Sequence, residues 1–79
     1  MSDEEITTWT DRELLANMLH GIRNPASIVL GYATLLRQSW EVLSAQERNE
    51  MLDQIISRTN IINEVNRWGF IWQQSHGDV

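Results

Sequence analysis

Ala16-Asn17-Met18-Leu19-His20-Gly21-Ile22-Arg23-Asn24-Pro25-Ala26-Ser27-Ile28-Val29-Leu30-Gly31-Tyr32-Ala33-Thr34-Leu35-Leu36 is the stretch whose reading decides the fold. On a helix, Leu15, Leu19, Ile22, Ala26, Val29, Ala33, Leu36 and Trp40 recur at alternating steps of four and three residues, the spacing of heptad a and d positions. A second row, Leu14, Met18, Ile28, Tyr32 and Leu35, widens the apolar face. An arc that wide serves a bundle core, where one helix touches more than one neighbour. The opposite face carries Asn17, His20, Arg23, Asn24, Ser27, Thr34, Arg37 and Gln38. His20 therefore points to water, and Pro25 interrupts the helix five residues later.

Working outward, Met1 to Thr8 is an acidic lead-in, with Asp3, Glu4 and Glu5 near a prospective helix start. Thr10 followed by Glu13 matches a capping box, which predicts a first helix from Asp11 to about Ser39 or Trp40. Pro25 removes one backbone donor, so a kink is expected there and not a break, because the heptad continues on both sides. Ser44-Ala45-Gln46-Glu47 is a second capping box and starts the second helix. Its apolar positions are Met51, Leu52, Ile55, Ile56, Ile61, Ile62, Val65 and Trp68, with Thr59 and Asn66 in line among them. Polar seam residues fix register at some cost in stability. Gly69 reads as a helix stop, Phe70-Ile71-Trp72 as an apolar tail, and Gln73 to Val79 as frayed.

The organisation expected is a lead-in over 1–10, a helical hairpin over 11–68 and a tail over 69–79. The fold class is all-α: an antiparallel helical hairpin that cannot cover its own apolar face and dimerises into a four-helix bundle. Trp9, Trp68 and Trp72 fall at the open end and Trp40 at the turn end, where they cap a thin core.

Composition narrows the function classes. A chain of 79 residues is one small domain, marginal without staples or oligomerisation. It has no cysteine, hence neither disulfides nor thiolate chemistry, which fits a reducing, cytoplasmic setting. A net charge of −5 without a single lysine argues against nucleic acid or an anionic membrane surface as partner. No apolar run approaches the roughly 20 residues of a membrane span. His20 and His76, the two histidines, make no credible zinc set, so no metal site is expected.

The run His20-Gly21-Ile22-Arg23-Asn24-Pro25, with Gly31-Tyr32-Ala33-Thr34-Leu35-Leu36 behind it and Asn17-Met18 ahead, resembles the phosphoacceptor box of sensor histidine kinases. The resemblance is to their dimerisation and histidine-phosphotransfer domain and covers about Leu14 to Trp68. That family's pattern is His, an acid, an aliphatic residue, a basic residue, Thr or Asn, then Pro. One position departs from it, since the acid after the histidine is Gly21.

The resemblance implies that His20 is the phosphoacceptor. A neutral imidazole nitrogen is a nucleophile able to take a phosphoryl group. Asn24, one turn on, stands where the family carries a residue thought to orient a hydrolytic water. Arg23 could neutralise the phosphoryl charge. Leu30, a large apolar residue on the polar face, is a candidate contact for a response regulator's receiver domain. The partners implied are a second copy of the chain, that receiver domain and a separate kinase ATP-binding domain. The latter would hold ATP and magnesium, because this sequence has no glycine-rich phosphate loop and no cofactor site of its own; alone it is not a kinase. Gly21 cannot act as a base on the imidazole N–H, a role that typically contributes about 10²–10⁴-fold. Two readings follow: a phosphorelay module in which His20 exchanges a phosphoryl group with a regulator aspartate, or a dimeric interaction module whose chemistry has lapsed.

Overall fold

A computed structural model describes residues 2–77 and contains three helices, α1 (Asp3–Thr7), α2 (Asp11–Ser39) and α3 (Ala45–Ser75). Met1, Asp78 and Val79, assigned above to the lead-in and tail, lie outside the described residues. α2 and α3 pack antiparallel as a hairpin 52 Å long and about 18 Å across. Among the described residues no helix is long and apolar enough to cross a membrane.

Both long helices begin where local chemistry directs. The Thr10 hydroxyl accepts the Glu13 amide at 3.1 Å while the Glu13 carboxylate accepts the Thr10 amide at 2.9 Å. Ser44 and Glu47 repeat that reciprocal pair at 3.1 and 2.9 Å. Two amides that a helix start leaves without intrahelical partners are thereby satisfied at each end. At the turn, the Arg48 guanidinium lies 4.4 Å from the centre of the Trp40 ring. Its Nε–H donates to the Trp40 carbonyl at 2.8 Å, closing off the C-terminal end of α2.

α2 runs unbroken through Pro25, as the continuous heptad predicts. α3 does not stop at Gly69, and here the sequence reading needs correction. Gly69 lies inside the helix because Met18 of α2 crosses it: a Cβ there would sit 3.2 Å from Met18 Sδ and Cε. The glycine that ends the helix is Gly77, at φ 75°, one residue after the terminal His76. Phe70, Ile71 and Trp72 are consequently helical rather than tail.

The acidic lead-in also acquires structure. α1 folds back along the C-terminal half of α3 and seats Ile6 at 0% exposure. Burying an isoleucine fully contributes about 1.5–3 kcal/mol. Trp9 then meets Trp68 edge-to-face at 5.8 Å, and the Trp72 indole N–H donates to the Trp9 carbonyl at 2.8 Å. The three tryptophans therefore bind α1 to the open end of the hairpin.

The wide apolar arc of α2 is divided between two directions. Leu36 is buried and Leu14, Met18, Ile22, Val29 and Tyr32 are half-buried, whereas Leu15 and Leu19 remain 60% and 61% exposed. On α3, Leu52, Ile56 and Phe70 are likewise exposed. In antiparallel helices of this handedness, the Leu15–Leu19–Ala26–Ala33 stripe of α2 and the Leu52–Ile56–Phe70 stripe of α3 open on the same side. Thr59, Asn63 and Asn66 interrupt the second stripe. One hairpin leaves this apolar face to water, which single soluble domains rarely do.

Candidate functional site

The site is built on the middle turns of α2. His20, Arg23 and Asn24 all lie exposed within one and a quarter turns of one another on the outer side of the helix. Pro25 cannot donate to the Gly21 carbonyl, so the turn beneath His20 lacks one rung of the helical ladder. The ion pairs among the described residues belong to Arg67, with Glu64 at 2.8 Å and Asp3 at 3.5 Å. The Arg23 guanidinium is thus not engaged by a carboxylate. An exposed imidazole, a guanidinium three residues on and a carboxamide four residues on can receive, neutralise and hydrate a phosphoryl group.

Gly21 faces the other way. A Cβ built on it would lie 3.1 and 3.3 Å from the Val65 methyls and 3.2 Å from Cζ3 of Trp68. Val65 is almost wholly buried at 2% exposure, so the residue after the histidine abuts the packed seam of the hairpin. The sequence placed Trp68 in the seam and among the open-end tryptophans but missed this contact. In an antiparallel hairpin, residues equidistant from the turn face each other, and that count would have paired Gly21 with Val65.

Farther along α2, on the stripe that carries His20 and Asn24, a groove is lined by Ile28, Gly31, Tyr32 and Leu35 with Arg58 of α3. The Arg58 Nε is enclosed and has no hydrogen-bond partner among the described residues. Nothing in the spacing had singled Arg58 out, because a charged residue inside an apolar seam is legible only once its neighbours are known. Leu30, offered above as a regulator contact, is 69% exposed but belongs to a different stripe, above Leu19 and Ala26 and beside Ala33, Thr34 and Arg37.

Residues 10–66 match the model of the His Kinase A (phospho-acceptor) domain. Neither the curated proteins nor the solved structures contain a significant match to the chain.

Proposed function

Because the chain belongs to the His Kinase A (phospho-acceptor) family, whose members dimerise and work in histidine-kinase signalling, we propose that it is a phosphorelay module with His20 as acceptor. The observation that carries this reading is the exposure of His20 on α2, with Arg23 and Asn24 beside it on the same polar face. A neutral ring nitrogen attacks the phosphorus of an aspartyl phosphate on a receiver domain. The N–P bond forms as the acyl P–O bond breaks, and the carboxylate leaves without needing a proton. Arg23 offsets the phosphoryl charge, and Asn24 orients the water that later hydrolyses the phosphohistidine.

Gly21 sets the preferred donor. Transfer from an acyl phosphate has a good leaving group, whereas attack on ATP benefits from an acceptor for the imidazole proton beside the histidine. With glycine in that place, His20 exchanges readily with a receiver and poorly with an ATP-loaded kinase domain, which would be a separate unit carrying ATP and magnesium. The receiver docks along the groove of Ile28, Tyr32, Leu35 and Arg58, which opens beside His20 and Asn24. Relays of this kind work in the cytoplasm, to which we assign the chain.

The test is chemical labelling with phosphoramidate followed by mixing with a panel of purified receiver domains. His20 should become phosphorylated, His20→Gln should abolish the label, and at least one receiver should take it onto an aspartate. Gly21 itself favours a second reading, a dimeric interaction module that binds a kinase or regulator without phosphoryl transfer. Labelling at His20 no faster than in an unfolded histidine peptide, with no receiver exchanging, would establish that second reading in place of the first.

A further inference from the structure

Three contacts form an unbroken line from the N-terminal segment to the acceptor turn. Ile6 anchors α1 on α3 with no residual exposure. Trp9, two residues beyond α1, stands edge-to-face with Trp68 at 5.8 Å, and its carbonyl accepts the Trp72 indole N–H at 2.8 Å. Trp68 also brings Cζ3 to 3.2 Å of the point where a side chain on Gly21 would begin. One ring thus touches the strap and borders the residue next to His20. Close-packed side chains transmit displacement instead of absorbing it.

We propose that Trp68 is a positioning residue for the His20 turn, and that α1 with Trp9 is a strap whose docking sets that position. Gly21 is then a packing requirement as much as a missing acid, since a Cβ would press on the Val65 methyls and on the Trp68 ring that Trp9 abuts. The turn it controls is also the one that Pro25 deprives of a backbone hydrogen bond. Among the described residues the strap is anchored by Ile6, the Trp9–Trp68 edge, one indole hydrogen bond and the exposed Arg67–Asp3 pair. A short terminal segment docked in this way opens without global unfolding. Anything that binds or displaces α1 would therefore reach the acceptor turn. The proposal takes its meaning from His20 as acceptor, but its test reads only motion, so the two can fail separately.

Amide and indole hydrogen exchange on the full chain tests it. Trp9→Ala and Ile6→Ser should speed exchange at Leu19 to Arg23 by tenfold or more, with Tyr32 to Leu36 of the same helix little changed. In the reverse direction, Gly21→Ala should speed exchange of the Trp72 indole proton by tenfold or more, because displacing Trp68 loosens Trp9. Trp68→Phe should retain most of the protection that Trp68→Ala loses. Should Trp68→Ala fail to fold, the strap variants and Gly21→Ala still decide the matter. Unchanged exchange at Leu19 to Arg23 in the strap variants would overturn the coupling. So would acceleration spread evenly along α2, which reports general loss of stability.

Discussion

At the scale of single residues, two glycines of α2 make opposite predictions. Either one costs the helix about 1 kcal/mol relative to alanine. Gly31 has nothing within 4 Å of its Cβ position, so Gly31→Ala should stabilise the protein by up to about 1 kcal/mol, measured by urea unfolding. Gly21 faces Val65 and Trp68 at 3.1–3.3 Å, and overpacking a seam typically costs about 1–3 kcal/mol. Gly21→Ala should therefore lower stability by about 1 kcal/mol, and Gly21→Glu by more. Restoring an acid at that position should improve phosphorylation by a kinase domain only when room is made for it. Gly21→Glu with Val65→Ala should form phosphohistidine at least tenfold faster than Gly21→Glu alone, within the range for a positioned base. Equal rates in the two variants would show that Val65 does not exclude the acid.

At the scale of elements, the two reciprocal caps carry the helix starts. Thr10→Ala and Ser44→Ala should each destabilise the fold by about 1 kcal/mol, read from thermal melts followed by circular dichroism. The Ser44 cap also responds to pH. The backbone amide of Ser44, and then its hydroxyl, hold the Glu47 carboxyl below its ordinary value. Hydrogen bonding to Arg67 does the same for Glu64. A carboxyl whose value is depressed on folding adds stability that is fully present above the unfolded value and disappears as pH falls through the folded one. Helicity should accordingly decline on acidification through and below the usual carboxylate range. Glu47→Gln should flatten part of that decline; an unaltered acid profile in the variant would remove Glu47 from the account.

At the scale of the whole molecule, the exposed stripes of α2 and α3 call for a second hairpin, and the family to which the chain belongs dimerises through this domain. Thermal stability should fall on dilution, as for any fold completed by association. Ile56 is 59% exposed on the hairpin and lies on the face the partner would cover. Ile56→Glu should leave the α2–α3 contacts in place and yet convert the protein to monomer in sedimentation; a variant that still sediments as a dimer would move the interface elsewhere. Val29→Asp acts deeper, because Val29 is half-buried in one hairpin and a second copy would enclose it. An unpaired charge there should cost on the order of 3–5 kcal/mol and abolish helical ellipticity.

The sequence by itself determined the two long helices, the capping boxes that start them and the outward face bearing His20, Arg23 and Asn24. These are matters of near-neighbour chemistry, in which a hydroxyl reaches an amide three residues on and apolar residues repeat at the helical period. It also located the four tryptophans at their proper ends, since position along an antiparallel hairpin follows from distance to the turn. It misjudged the end of α3, because a glycine alone does not say whether it stops a helix or lets another helix approach. Met18 against Gly69 and the positive φ of Gly77 separate those cases, and both depend on coordinates. The division of the α2 arc into a hairpin side and an open side, the enclosure of Arg58 and the seating of Ile6 were decided only by the tertiary structure. So was the grip of Trp68 on Gly21. Each of these joins residues distant in sequence, and contacts of that kind are fixed by how whole helix faces pack, which no local pattern encodes.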